Sequence, residues 1–353
     1  MVDLRYDAGP DAASVSYLPA AVQLLRKGEW EDEFLLGRIL FLVTFGNKID
    51  LPELIEKNEL ADVIVEKLAS HAKVTSPGGR PNANPMQGMA LAETLKVMFN
   101  LTTYCPNYLS YFTPAIPPVA ALLQAGSISR ADPMGQSVRD LVNALLNLDL
   151  GAKDIGESLF PTAAPSKFCE KVVEILDRSM IHYGDAELEQ TVTPLVGVLL
   201  KLTEAAPDAS KEFLKSALLP SNADREQVLG QAPTLPSRLL KNSTNAMTPK
   251  LRDTILQLMF ELSDSDASKL VENIGYGFAS GFLMQRGIPV PTSASREFAA
   301  TDAAGDRRIV NPLTGQFVDR ESASNEPEMT EEEKEREAER LFVLFERYAH
   351  LTG

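Results

Sequence analysis

Lysine, arginine and asparagine recur at one place in a repeated sequence pattern, and they are the side chains best suited to holding a peptide. Asparagine amides can pair with the N–H and C=O groups of a peptide backbone, and lysine or arginine can bind a carboxylate. Each pattern contributes a variable residue and the residue four positions earlier, which share one stripe of a helix. Two further cations on the segment before the last pattern could extend this stripe. The predicted partner-binding residues are Arg38, Lys96, Asn100, Asn143, Asn147, Lys201, Arg238 and Lys241.

Three of these side chains allow a second interpretation. Asn100 and Asn147 could instead hydrogen-bond within their own repeats, because buried amides usually find a local partner. Lys96 could equally be a solvated charge that contacts nothing. The sequence leaves these alternatives open.

The residue types and spacings do not indicate covalent catalysis. His71, His182 and His350 are not paired with Cys, Asp or Glu at metal-ligand intervals, so we expect ordinary surface or capping histidines. The chain has no P-loop and no GxSxG motif, and the Gly-Tyr-Gly at 275–277 lies in a helical context rather than after a strand. We therefore predict that the chain is not an enzyme and uses no cofactor or metal.

The elements that would position the stripe come from a pattern that occurs five times. Each copy ends in a large apolar residue, a variable residue, another apolar residue and a small hydroxyl or acidic residue. The variable positions are 42, 100, 147, 201 and 261. Upstream apolar residues such as Leu91, Leu95 and Met98 follow a helical period. The intervals slightly exceed the roughly 40–47 residues of HEAT and armadillo repeats. We predict an all-α fold, an armadillo/HEAT-like α-solenoid with loop insertions.

Composition narrows the class of partner and the compartment. The 353 residues include 49 acidic and 34 basic side chains, a net charge of −15, which disfavours nucleic acid and anionic membrane as partners. Two distant cysteines, Cys105 and Cys169, indicate a reducing compartment. The N-terminus does not resemble a signal peptide, and no apolar run approaches the ~20 residues of a membrane span. The chain is predicted to be cytoplasmic.

The chain divides into three predicted parts. Residues 1–288 form a partial solenoid array, in which the apolar helix at 34–45 is expected to be buried between neighbours. Residues 289–328 contain few large apolar side chains and are expected to be an irregular linker, extended or disordered. Residues 329–353 are predicted to form a C-terminal helix, with Thr330 and Glu333 as a capping-box pair. Thr330 also precedes three glutamates, a weaker indication of a phosphorylation site.

Five segments of the chain carry a resemblance to one protein family. They are EDEFLLGRILFLVT (31–44), ETLKVMFNLT (93–102), IGYGFASGFLMQRG (274–287), VNPLTG (310–315) and MTEEEKEREAERLFVLF (329–345). In order and spacing they are similar to the synembryn proteins (resistance to inhibitors of cholinesterase 8), over about residues 15–348. Phe278 and Ser280 replace the Asn and Ala usual in that family.

The resemblance implies an armadillo/HEAT solenoid that acts as a chaperone and non-receptor guanine nucleotide exchange factor for G-protein α subunits (Gα). The concave face would hold the C-terminal helix of Gα, and the region after the solenoid would contact the nucleotide domain. Recruitment to the plasma membrane or cell cortex would occur through Gα. Family members have further N-terminal repeats and a C-terminal tail, which this chain is expected to lack. A peptide-binding scaffold without exchange activity and an inactive truncated form remain alternatives.

Overall fold

A computed structural model describes residues 17–75, 84–289, 291, 294, 296–301 and 306–321. The described residues are mainly helical, with one small sheet. The first α-helices are α1 (Leu18–Lys27), α2 (Trp30–Thr44), α3 (Leu51–Glu56), α4 (Leu60–Val74), α5 (Pro85–Tyr104), α6 (Ile116–Ala125), α7 (Gln136–Asn147) and α8 (Gly156–Leu159). They are followed by α9 (Lys167–His182), α10 (Asp185–Glu187), α11 (Thr193–Ala205), α12 (Asp208–Leu218), α13 (Leu235–Asn242), α14 (Pro249–Leu262), α15 (Ala267–Ile274) and α16 (Tyr276–Gln285). Segments of 3₁₀ or π helix occur at Pro106–Ala115, Lys153–Ile155, Leu188–Val192, Asp224–Glu226 and Val318–Arg320.

The helices form two parallel rows, which confirms the predicted α-solenoid. The five helices that end in the recurring pattern pack one after another in the order α2, α5, α7, α11 and α14, here called the repeat-ending row. A second row, α1, α4, α6, α9 and α13, stacks beside it in the same order. Leucine, isoleucine and valine side chains fill the space between the rows as one continuous core. Each repeat therefore buries its apolar surface mainly against its neighbours.

Local sequence signals set the starts of several helices. Helix α5 begins at Pro85, and the side chain of Asn84 accepts a hydrogen bond of 2.9 Å from the Met86 N–H. Helices α11 and α14 also carry proline in the first turn, where the missing N–H costs nothing. The apolar segment after Asp266 is interrupted at Gly275, so it forms α15 and α16 rather than one helix.

One face of α2 differs from the prediction that this helix is buried on all sides. Leu35, Ile39 and Leu42 are 59%, 49% and 62% exposed, although Leu40 and Gly37 on the other side are buried. Within the described residues α2 is the first helix of the repeat-ending row, so only α5 packs on it from within that row. The prediction was wrong for this face. The sequence pattern shows that the residues of α2 are apolar, but it does not show whether another helix packs on each of them.

A buried polar cluster joins α2, α4 and α5, and the sequence analysis missed it. Glu33 and His71 are fully buried, and one carboxylate oxygen of Glu33 is 2.9 Å from His71 Nε2 and accepts a 2.7 Å hydrogen bond from Thr94. Lys67 Nζ lies 4.0 Å from the other oxygen, and the His71 ring packs on Trp30 at 4.5 Å between centroids. His71 is therefore a core residue, and the prediction of a surface or capping histidine was wrong.

The segment after the solenoid folds onto its last helices, which the predicted irregular linker did not anticipate. Strands β1 (Phe298–Thr301) and β2 (Arg307–Val310) pair antiparallel, with Phe298 opposite Val310. Val310 and Phe317 are fully buried, so this segment does bury apolar surface, although it contains few large apolar residues. Residues 322–353, including Thr330 and the predicted helix 329–353, lie outside the described residues.

Two of the motifs that resemble the synembryn family contact each other directly. The backbone N–H groups of Tyr276 and Gly277, in the first turn of α16, donate to the carbonyls of Pro312 and Leu313 at 2.7 and 2.8 Å. This turn of the 310–315 segment therefore satisfies N–H groups that a helix start leaves unpaired. Gly275 has a φ of +80°, and a Cβ there would lie 2.9 Å from the backbone of Thr314 and Gly315.

Arg225 adds a side-chain connection between the solenoid and this turn. Its guanidinium donates to the carbonyl oxygens of Gly315 at 2.6 Å, Glu272 at 2.8 Å and Asn273 at 3.1 Å. Burial lowers the pKa of Arg225 to about 10, and the nearby Asp224 carboxylate opposes that shift. The three carbonyl acceptors replace the water that the buried guanidinium has lost.

We expect Gly275→Ala to detach the turn from α16. The substitution combines an unfavourable positive φ with a backbone clash, so the free energy of unfolding should fall by about 1–3 kcal/mol. Urea unfolding gives the stability, and hydrogen exchange of residues 306–321 shows whether the loss is local. The matched control is Gly281→Ala, within α16, where a Cβ meets nothing within 4 Å. This control should be neutral or stabilising by up to about 1 kcal/mol, and equal losses in both variants would contradict the proposed contact.

Candidate functional site

Arg38 and Lys96 lie together on the repeat-ending row, bridged by a buried glutamate. One carboxylate oxygen of Glu93 is 3.1 Å from Arg38 Nη2 and 2.9 Å from Lys96 Nζ. Lys96 also lies over the ring of Phe41, 5.9 Å from its centroid. The two cations remain 47% and 30% exposed, so they can still reach a partner although Glu93 offsets part of their charge.

Asn100 connects α5 to α2 instead of pointing freely into solvent. Its side chain is 4% exposed, and its amide nitrogen donates to the Phe41 carbonyl and the Thr44 hydroxyl, both at 3.0 Å. The Thr44 hydroxyl in turn donates to the Leu40 carbonyl at 2.8 Å. The amide nitrogen therefore bonds across two adjacent repeats, whereas the sequence analysis considered a bond within one repeat.

The next two repeats use the same position in the same way. The Asn147 amide nitrogen donates to the hydroxyls of Thr102 at 3.1 Å and Thr103 at 2.9 Å, joining α7 to α5. Lys201 Nζ donates to the Leu148 carbonyl at 2.9 Å, joining α11 to the end of α7. Burial lowers the pKa of Lys201, against which nearby carboxylates act. The variable position of the pattern is thus largely a contact with the preceding repeat.

In three copies the small hydroxyl residue that ends the pattern accepts a hydrogen bond from an asparagine of another helix: Thr44, Thr102 and Ser263. Thr102, Thr203 and Ser263 donate to the carbonyl four residues earlier in their own helices at 2.9, 2.9 and 2.8 Å. The hydroxyl oxygen of Ser263 accepts from Asn273 at 2.9 Å, as Thr102 accepts from Asn147. The recurrence of the hydroxyl was visible in the sequence, but its role depends on the neighbouring helix.

The remaining candidates are not all on the same row. Asn143 lies on α7, four residues before Asn147, and is half-buried. Its side chain makes no hydrogen bond with any residue that the structure describes. Arg238 and Lys241 lie on α13, in the second row. Arg238 pairs there with Asp177 of α9, and Lys241 is exposed. Neither residue therefore extends the repeat-ending row.

The exposed stripe of α2, α5 and α7 combines apolar and polar groups. Leu42, Met89 and Phe99 are 62%, 45% and 38% exposed, and the cations Arg38 and Lys96 lie on the same helices. A surface of this kind suits an amphipathic helix, whose apolar face contacts the large side chains while its carboxylates meet the cations.

Possible metal ligands and the two cysteine thiols were considered within the described residues. No group of three or more His, Cys, Asp or Glu could hold a metal ion there. Both cysteines are buried, and burial raises the pKa of Cys169 to about 12, so its thiol stays protonated and is a poor nucleophile. In the same described residues, no helix combines the length and apolarity needed to cross a membrane.

Comparison with known proteins identifies the class. The family model of the guanine nucleotide exchange factor synembryn matches residues 11–351. The chain belongs to this family. A synembryn-like chaperone of Schizosaccharomyces pombe is 27% identical over 58% of this chain and 42% of its own length. The chaperone Ric-8A of Macaca fascicularis is 26% identical over 88% of this chain and 61% of its own length. The chaperone Ric-8A of Rattus norvegicus is 28% identical over 96% of this chain and 66% of its own length. The chain therefore spans roughly two fifths to two thirds of the lengths of these relatives.

We expect Asn100→Ala to destabilise the solenoid more than Asn143→Ala. The first change removes a buried amide that bonds to two acceptors on α2, at a cost of about 1–2 kcal/mol in the free energy of unfolding. Asn143 loses no hydrogen bond to the described residues, so its replacement should change stability by less than about 0.5 kcal/mol. Urea denaturation measures both, with circular dichroism as the signal. A neutral Asn100→Ala would show that the bond across the repeats contributes nothing to stability.

Proposed function

We propose that this chain is a chaperone and guanine nucleotide exchange factor for G-protein α subunits. The observation that carries this proposal is the match of residues 11–351 to the synembryn family model. The names of the relatives, chaperone Ric-8A and synembryn-like chaperone, support the chaperone part.

We propose the exposed stripe of α2, α5 and α7 as the surface for the C-terminal helix of Gα. Leu42, Met89 and Phe99 would contact the apolar face of that helix. Arg38 and Lys96 would meet its carboxylates, and Asn143 offers an amide that is not engaged by the described residues. Asn100, Asn147 and Lys201 contribute indirectly, because their bonds to the preceding repeats hold the helices of the stripe in register.

The proposed mechanism is a shift of a binding equilibrium. A protein that binds nucleotide-free Gα more tightly than GDP-bound Gα must weaken GDP binding by the same factor. No bond of GDP is formed or broken. The same preference would protect a nascent Gα that has not yet bound nucleotide, so chaperoning and exchange follow from one binding preference.

A release assay tests this proposal. Purified Gα loaded with labelled GDP is mixed with the chain, and faster release than from Gα alone is the expected result. Unchanged release together with binding of a peptide that copies the Gα C-terminus would favour a scaffold without exchange activity. Failure of both would favour an inactive form.

Asn143→Glu should lower affinity for the Gα peptide about tenfold, which corresponds to about 1.4 kcal/mol. The new carboxylate would repel the carboxylates that the stripe is proposed to bind. Gln190→Glu adds the same charge at an exposed position off the repeat-ending row, so it is the matched control and should bind normally. Fluorescence anisotropy of the labelled peptide measures both. Wild-type affinity in Asn143→Glu would exclude this stripe as the binding surface.

A further inference from the structure

Helix α2, the first of the repeat-ending row, presents an apolar stripe on the side that faces away from α5. Its contacts with α5 come from the side that carries Gly37 and Thr44. At 3.6 residues per turn, three apolar side chains lie roughly 140–200° around the helix from Gly37. They are Leu35, Ile39 and Leu42, and each is about half exposed or more within the part of the chain that the structure describes. This stripe is here called the end face.

The end face has the character of a contact between repeats. Each repeat of a solenoid buries apolar surface against its neighbours. Large apolar side chains spaced three and four residues apart form the ridge that a second helix packs against. Leu24 of the adjacent α1 is exposed as well, which adds to the apolar surface of this first helix pair. A contiguous exposed apolar surface marks an interaction site, and here a helix with the same spacing fits it best.

The α2 helix of a second copy has this spacing and is complementary to the end face when the two helices run antiparallel. The midpoint between Leu35 and Leu42 falls next to Ile39. A two-fold axis through this point sets Ile39 against Ile39 of the other copy, and Leu35 of each copy against Leu42 of the other. Antiparallel helix dipoles also attract each other. The same residues therefore supply both sides of the contact.

The charges at the two ends of α2 favour the same arrangement. The first turn carries the exposed acids Glu31 and Asp32, and the turn that follows the helix carries the exposed Lys48. Antiparallel pairing brings the first turn of each α2 close to Lys48 of the other copy. Parallel pairing would instead set the acids of the two copies against each other, and like charges at a contact are unfavourable. Charge complementarity therefore selects the antiparallel pair.

We propose that the end face of α2 is covered by the end face of a second copy, in a two-fold symmetric dimer. Two helices side by side, about 22 Å long, give a footprint of roughly 400–500 Å² per copy. This is smaller than the ~800 Å² per partner of a standard stable interface, so the dimer is reversible. Leu42 also belongs to the exposed stripe of α2, α5 and α7, so the dimer covers one end of that stripe. The inference does not rest on the proposed function, because neither the surface nor its test involves Gα.

Sedimentation velocity of the full chain tests the dimer at concentrations from about 5 to 200 µM, where a reversible contact of this size populates both states. Salt at about 0.15 M screens the repulsion between the two acidic chains beyond about 8 Å. We expect the weight-average sedimentation coefficient to rise with concentration from the monomer value towards the dimer value. A monomer over the whole range would overturn the proposal.

Ile39→Glu locates the contact, because it places two carboxylates at the two-fold axis and should weaken dimerisation at least tenfold. Ile181→Glu makes the same change at an exposed isoleucine of α9, so it is the matched control and should dimerise like the wild type. Circular dichroism confirms that both variants are folded. Undiminished dimerisation of folded Ile39→Glu would place the contact on another surface and overturn the assignment.

A charge exchange tests the antiparallel arrangement. Glu31→Lys and Lys48→Glu should each weaken dimerisation severalfold, because like charges then meet between the copies. The double variant should regain wild-type dimerisation, because opposite charges meet again. Within one chain the two positions are separated by the length of α2, about 25 Å, so this recovery cannot come from a pair inside one chain. Additive losses in the double variant would contradict the antiparallel pair.

A thiol at the centre of the end face distinguishes a second copy from other occupants. Cys105 and Cys169 are buried, so they contribute little background labelling. A short bis-maleimide should link Ile39→Cys to a second copy of itself, whereas Ile181→Cys should give no linked dimer. If Ile39→Cys stays unlinked and reacts slowly with a simple maleimide, another part of the chain covers the end face. If it stays unlinked and reacts fast, the end face is left in water, and either result overturns the proposal.

Discussion

The stacking of each repeat-ending helix on the one before it is the contact on which the rest of the structure depends. Two glycines allow this approach, since a Cβ at Gly37 would lie 2.9 Å from Glu93 Cβ and one at Gly197 would lie 2.8 Å from Leu146 Cδ1. The hydrogen bonds from Asn100 and Asn147 to threonines of the preceding repeat cross the same interfaces. Apolar burial provides most of the stabilisation there, and the hydrogen bonds need one particular register because an unpaired buried amide is costly.

The hydrogen bonds between repeats change the interpretation of the polar stripe. A repeated asparagine on one helix face is typical both of a peptide-binding groove and of an internal connection between repeats. In this chain Asn100 is almost wholly buried and serves the connection, whereas Asn143 retains an amide that the described residues do not use. Buried side chains that join repeats and exposed side chains therefore alternate along the same row, and of these only the exposed ones are accessible to another molecule.

The segment after the solenoid shows how separated motifs become one structural unit. The glycines around Tyr276 leave room for the backbone of residues 312–315, and that turn pairs with the first N–H groups of α16. Arg225 binds the turn and the end of α15 together from the other side. These short motifs have a structural explanation, which is that each one completes the hydrogen bonding of the other.

The amino-acid sequence by itself determined the helical period, the five-fold recurrence, the α-solenoid and the resemblance to the synembryn family. It also indicated which residues of one helix share a face, because spacing along a helix places residues on one face whatever the fold. Only the tertiary structure decided what covers each face. It buried His71 against Glu33, left Leu35 exposed, and placed Arg238 on the second row. The physical reason is that periodicity is a local property of the chain, whereas burial and pairing depend on neighbours that are distant in sequence.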